Sequence, residues 1–280
     1  MKPRITVVGS INMDLVFRTP RMPVLGETIT GEDFRQIPGG KGANQAVAAA
    51  RQGADVRFVG AVGGDGFGHS AMRCLVAEGI DITAVTSCGN ASTGVAGILV
   101  DGSGGNSIVL APGANELLSV AQIEQAQDAV SSAQYLICQL ETPMASVERA
   151  IELAAANGVT VVFNPAPAQP LADALLARVD YLIVNETEAR QISGIEVTGP
   201  PSAQRAAETL RARGAGAVLL TMGEHGVCVV DADGSRCVPA IAVDVVDTTA
   251  AGDTFVGAFT VGLARGLAID DAVAEAQYCA

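Results

Sequence analysis

Short runs rich in Val, Ile and Leu alternate along the chain with Ala-rich stretches of helical period. ITVVGS (5–10) reads as a strand, and ANQAVAAARQG (43–53) as a helix with Gly53 past its end. VRFVGAVG (56–63) is strand-like, and GHSAMRCLVAEG (68–79) helical. YLICQLE (135–141), VTVVFN (159–164), YLIVNE (181–186) and AVLLTMG (217–223) follow as strands, with helical patterns between them. Strands this apolar are buried on both faces, as in a parallel sheet covered by helices. The pattern therefore predicts a doubly wound α/β fold with a mostly parallel central sheet.

Two regions, about 12–36 and 92–110, break this rhythm with mixed or alternating polarity and no crossover helix. They are expected to form a small β-sheet beside the main one, such as a lid. In GVCVVDADGSRCVPAI (226–241), Asp233-Gly234 between two strand-like runs signals a hairpin. No repeat, linker or low-complexity tract divides the chain, so residues 1–280 are read as a single α/β domain.

Composition narrows the function. Hydrophobic residues make up 49%, which excludes a disordered chain. The formal net charge of −13 argues against a nucleic-acid partner, and an anionic substrate must be held by local donors. None of the six cysteines is in CxxC spacing, which fits reduced thiols in the cytoplasm better than a disulfide framework or zinc site. The start has too short an apolar run for a signal peptide, and no segment reaches the length of a membrane span.

Several stretches could carry chemistry. In PGGKGANQA (38–46), two glycines admit close backbone approach, and Lys41 and Asn44 share one side of a helix mouth. They could grip hydroxyls or an anion, or be a glycine turn with a solvated lysine; no Walker A pattern occurs. GFGHSA (66–71) matches a loose dinucleotide pattern, but a helix start explains its glycines equally well. In NETEAR (185–190), Asn185 and Glu188 could hold a hydrated metal or phosphate, or be a helix cap with a first-turn acid. TMGEHG (221–226) suits a backbone approaching a nucleotide, or a plain turn. In VVDTTAAGDTF (245–255), Thr248 or Thr249 can cap a helix. The small Ala250, Ala251 and Gly252 would then leave the amides of 250–253 open to a phosphate beside Asp253. A carboxylate at a phosphate cradle fits a base for a hydroxyl attacking phosphorus, although an acid in a first turn also favours the helix dipole.

GGKGANQA, NPAPA, NETEAR and DTTAAGDTF, in this order, resemble the ribokinase family of sugar kinases, also called the PfkB family. The resemblance runs from VVGSINMD to the chain end. It implies an α/β domain with a β-sheet lid over the sugar and an ATP-dependent transfer to the 5-hydroxyl of D-ribose. It places Asn12, Asp14, Gly40, Lys41, Gly42, Asn44 and Glu141 on the sugar. Asp253 becomes the general base, and the amides of Ala250, Ala251, Gly252 and Asp253 the anion hole. Asn185, Thr221, Gly223, Glu224, Gly226, Gly252 and Gln277 would line the ATP site. Asn185 and Glu188 would serve magnesium and phosphate; Asp247 and Thr249 would bind potassium. A homodimer through the lid is implied as well. The chain stops at Ala280 inside a helical pattern, whereas the family usually continues. An incomplete potassium site and a weakened adenine pocket are therefore expected. Two other readings are another PfkB kinase, acting on deoxyribose, fructose or a nucleoside, and a non-catalytic sugar sensor.

Overall fold

The computed structural model describes residues 2–243 and 248–280. The strands are β1 Arg4–Val8, β2 Asn12–Arg18, β3 Asp33–Gly39, β4 Asp55–Gly63, β5 Asp81–Cys88, β6 Gly94–Val100 and β7 Asn106–Ala111. Then come β8 Tyr135–Cys138, β9 Thr160–Phe163, β10 Tyr181–Asn185, β11 Ala217–Thr221, β12 Val227–Asp231 and β13 Gly234–Val238. Nine of them form one sheet in the order β13-β12-β11-β10-β9-β8-β1-β4-β5. All neighbours from β11 to β5 run parallel; only the β11-β12 and β12-β13 pairs are antiparallel.

Alternate side chains of the central strands enter two separate cores, one on each face. Leu136, Cys138, Val161, Phe163, Leu182, Val184, Val218 and Leu220 pack on one side. Their neighbours Ile137, Val162, Ile183, Ala217 and Leu219 pack on the other. This is the physical reason for continuous apolar runs in place of alternation. Helices Met144–Ala156 and Pro200–Ala212 supply the first core. Helices Lys41–Arg51, Ala251–Ala264 and Ile269–Cys279 supply the second.

The second sheet has four strands in the order β3-β2-β6-β7 and is the lid. It is mixed: β2 pairs antiparallel with β3 and parallel with β6, and β6 pairs antiparallel with β7. Its strand β3 continues to Gly39, so the lid runs straight into the helix that starts at Lys41.

The glycines of GFGHSA belong to a helix start, Gly66–Ala77, capped by Asp65. The Asp65 carboxylate accepts from Gly68 N at 2.8 Å and from Thr93 N and Oγ1 at 2.8 and 2.6 Å, tying the helix to the entry of β6. These hydrogen bonds hold the Asp65 carboxyl below the ordinary range, although burial opposes them. The hairpin β12–β13 forms, but its turn is offset by one residue from Asp233-Gly234. Asp231 pairs with Gly234, so Ala232 and Asp233 make the turn. The Asp231 carboxylate accepts from Asp233 N at 2.9 Å and pairs with Arg236 at 2.8 Å, which settles that register.

Candidate active site

The sheet order places the chain start in the middle. From β1 the path runs outward to β4 and β5, then returns to the other side at β8. Such a reversal opens a crevice at the carboxyl ends of the strands. Ser10 and Asn12 follow β1, Glu141 follows β8, Asn164 follows β9, and Asn185 and Thr221 end β10 and β11. Residues far apart in sequence therefore meet along one edge.

On the lid side, Glu141 is the centre. Its Oε2 accepts from Ser10 Oγ at 2.6 Å, Lys41 N at 3.2 Å and Asn12 Nδ2 at 3.3 Å. Asn12 is oriented by Asn115, whose Nδ2 donates to Asn12 Oδ1 at 2.7 Å; Asn115 also brackets Ile11 N and O. The chain can fold this tightly only because of its glycines. Gly40 has φ +95 and a Cβ there would lie 2.8 Å from Asn12 N; a Cβ on Gly42 would lie 2.6 Å from Ser10 N. The half-buried Asp14 carboxylate lies against Gly39, where a Cβ would overlap it. Its pKa is raised from 3.8 to about 6, first by burial and then by the charges of Glu141 and Asp253.

Asp253 is 8% exposed, in the first turn of helix Ala251–Ala264. Its Oδ1 accepts from Gln45 Nε2 at 2.9 Å and its Oδ2 from Asn44 Nδ2 at 3.1 Å. Burial pushes its pKa up, and the Glu141 charge adds to that. Lys41 and the two amide hydrogen bonds pull the other way. Neither Thr248 nor Thr249 caps this helix. The N-cap is Ala250, left-handed at φ 58 and without a side-chain cap bond. Ala251 N donates to Thr248 O at 3.2 Å and Thr254 N to Ala250 O at 2.8 Å. Among the described residues, the amides of Ala250, Gly252 and Asp253 have no backbone acceptor, so three of the four expected donors are open and that of Ala251 is taken.

A cleft of about 260 Å³ opens beside this helix mouth. Its walls include Lys41, Asn164, Asn185, Glu188, Thr221, Thr248, Ala250, Ala251, Gly252 and Asp253. Asn185 and Glu188 make a reciprocal cap: Asn185 Oδ1 accepts from Glu188 N at 2.8 Å, and Glu188 Oε2 accepts from Asn185 N at 2.9 Å. Burial raises the pKa of Glu188, with the Asn185 amide and Lys41 opposing. The helix cap read from the sequence is thus present, and its two residues also stand on the cleft wall.

Not every expected residue joins this cleft. Gly223 and Glu224 stand on the exposed turn Gly223–His225 outside its walls. Gly226, at φ +82, is needed where a Cβ would overlap Val238 O. Gln277 lies on helix Ile269–Cys279, also away from the cleft walls. Asp247 lies outside the described residues; Thr249 is exposed next to the helix mouth. Among the described residues, no cluster of three or more His, Cys, Asp or Glu could hold a metal by itself.

The sequence pattern of the pfkB family of carbohydrate kinases matches residues 2–280. The chain belongs to that family. This carbohydrate kinase is 44% identical to the ribokinase of Haemophilus influenzae over 280 residues, 100% of this chain and 92% of the relative. It is 39% identical to the deoxyribokinase of Salmonella typhi over 256 residues, 91% of this chain and 84% of that one. The structure of Arabidopsis thaliana ribokinase complexed with ribose and ATP superposes with a TM-score of 0.90 at 30% identity, covering 99% of this chain and 91% of that one.

The kinase also has site residues that the sequence reading left out. Ser10, Gln45, Asn115, Gln139 and Asn164 are buried polar side chains bonded to the residues above. Gln45 and Asn164 lie inside GGKGANQA and NPAPA, so polar residues within otherwise small or apolar motifs were the available signal. Asn115 stands outside every motif, and only the fold shows its contact.

Proposed function

We propose that this kinase transfers the terminal phosphoryl group of ATP to the 5-hydroxyl of D-ribose, with Asp253 as general base. The observation that carries the reading is the position of Asp253. It is a buried carboxylate at an open helix mouth, between the polar cluster under the lid and the cleft at the sheet edge.

In this reading Asn12, Asp14, Gly40, Lys41, Gly42, Asn44 and Glu141 hold the sugar. Polar groups that are half-buried under a lid need partners, and a small polyhydroxyl ligand supplies them. ATP occupies the cleft, with Thr221, Asn185 and Gly252 on its walls; Gly223, Glu224, Gly226 and Gln277 would extend that site. The amides of Ala250, Gly252 and Asp253, helped by the helix dipole and Lys41, offset the charge that develops on the transferring group. Asp253 takes the proton of the attacking hydroxyl, a contribution of about 10²–10⁴-fold.

A magnesium ion bound with ATP would offset phosphate charge. The buried carboxylate of Glu188, paired with Asn185, fits an ion held mainly by water and phosphates. Of the expected potassium ligands, the described residues include only Thr249.

Ile37, Ile108 and Leu110 are exposed on the Asp14 face of the lid sheet, and Phe17, Phe34 and Val109 leave an apolar patch exposed on its opposite face. A second copy of the chain covering it would give a homodimer. Six free cysteines fit a cytoplasmic enzyme. No described helix is long and apolar enough to cross a membrane.

A deoxyribokinase reading has specific support, because the Salmonella typhi relative is nearly as similar as the ribokinases. ADP release measured with ribose, 2-deoxyribose, fructose and a nucleoside separates the cases. Ribose is expected to win clearly, since a site built to bond a hydroxyl can reject the analogue lacking it by up to ~10⁴. Equal kcat/KM for ribose and 2-deoxyribose would refute the ribose assignment. No turnover with any sugar would favour a sensor.

A further inference from the structure

We infer that Gln45 is a positioning residue for phosphoryl transfer: its side-chain amide is locked in one orientation, and this commits Oδ1 of Asp253 to accepting an N–H and leaves Oδ2 to carry the proton. The inference rests on Asp253 as general base.

The lock starts at a group that can only accept. Asn164 Nδ2 donates to the backbone carbonyl of Ile183 at 2.9 Å, so Asn164 must present its Oδ1 the other way. That oxygen accepts from Gln45 Nε2 at 3.1 Å. The same Nε2 donates its second hydrogen to Asp253 Oδ1 at 2.9 Å. Gln45 Oε1 in turn accepts from Gln139 Nε2 at 2.6 Å. Gln45 and Gln139 are both 0% exposed, so water cannot replace any of these partners cheaply. Flipping Gln45 would set an oxygen against Asn164 Oδ1 and Asp253 Oδ1 together, a clash that holds whichever way Gln139, whose own Oε1 has no partner, is turned. Oδ2 has no such lock. Its donor, Asn44, is half-buried and its own side-chain oxygen has no hydrogen bond from another residue among those described.

Asp253 is also faced by the charges of Lys41, Asp14, Glu141 and Glu188, which come from other elements. These stay in place when Gln45 is changed, so a shift in titration would report the amide itself. A donor to a carboxylate favours its charged form.

The test uses Gln45→Met, similar in length but without donor or acceptor, and Gln139→Met, which leaves the Asp253 contact but removes one side of the lock. Each is compared with the unaltered enzyme for kcat across pH with saturating sugar and ATP, with far-UV circular dichroism and thermal melts as controls. Gln45→Met is expected to lower kcat roughly tenfold or more and to move the acidic limb of kcat upward by on the order of one pH unit. The KM for sugar should change little. Gln139→Met should move the same limb in the same direction by less, and it carries the test if Gln45→Met does not fold. A folded variant with lower kcat and an unmoved limb would overturn the inference, because a purely structural role lowers the active fraction without shifting titration. Asp253→Asn separates the two levels: full activity there sinks the general-base reading itself.

Discussion

Gly257 and Ala48 touch where two helices cross. A Cβ on Gly257 would lie 2.7 Å from the Ala48 Cβ and 2.7 Å from Gln45 O. One of these helices carries Asp253 and the other carries Asn44 and Gln45. The spacing of Asp253 and its two amide donors is therefore set by a glycine one turn further along.

Gly257→Ala should force these helices apart. Overpacking of this kind typically costs about 1–3 kcal/mol. Urea unfolding should show that loss, and kcat should fall with it because the Asn44 and Gln45 bonds to Asp253 lengthen. Unchanged stability would mean that the crossing is softer than the contact implies.

Asp253→Asn should preserve sugar and ATP binding and lower kcat by about 10²–10⁴-fold. Binding by calorimetry and turnover by ADP release give the two numbers independently. A loss of less than tenfold in a folded variant would remove Asp253 from the role of base.

Asp14 links stability to pH. Its carboxyl titrates near 6 in the fold against an ordinary 3.8, so folding takes up a proton between those values. The stabilisation from that proton is complete below the lower value and gone once pH rises through the upper one. Asp14→Asn should therefore melt higher than the unaltered enzyme above pH 6 and match it near pH 4. The same change should weaken sugar binding. A higher melting temperature that persists unchanged at the acidic end would exclude the buried charge as its cause.

Ala250 occupies the left-handed region at φ 58, which costs a non-glycine residue roughly 1 kcal/mol. Ala250→Gly should stabilise the enzyme by up to that amount, and Ala250→Val should destabilise it. Chemical denaturation midpoints decide the matter; a stabilising valine would contradict the backbone geometry.

Val109, 75% exposed, stands among the apolar residues of the lid. Val109→Asp should convert a dimer to a monomer in sedimentation velocity with little change in melting temperature. An unaltered chain that already sediments as a monomer at micromolar concentration would defeat the homodimer.

The sequence by itself determined the layered α/β class and the lid. Burial of a strand on two faces requires apolar side chains in succession, and that requirement is written in consecutive residues such as Leu182, Ile183 and Val184. It also determined the family, because the residues of GGKGANQA and DTTAAGDTF are each contiguous. Only the tertiary structure decided which polar groups meet. Gln45 reaches Asp253 across 208 positions and Gln139 across 94, and Asn115 reaches Asn12 across 103. Local pattern carries no information about such pairs, since a buried glutamine looks the same as any other until the sheet brings its partner. The cap of the Asp253 helix shows the same limit. Two threonines were the natural caps by local preference, but the approach of the chain placed Ala250 there in a conformation its own side chain disfavours. Backbone direction at a helix entry is set by what the helix packs against, and the contact of Gly257 with Ala48 belongs to the tertiary fold.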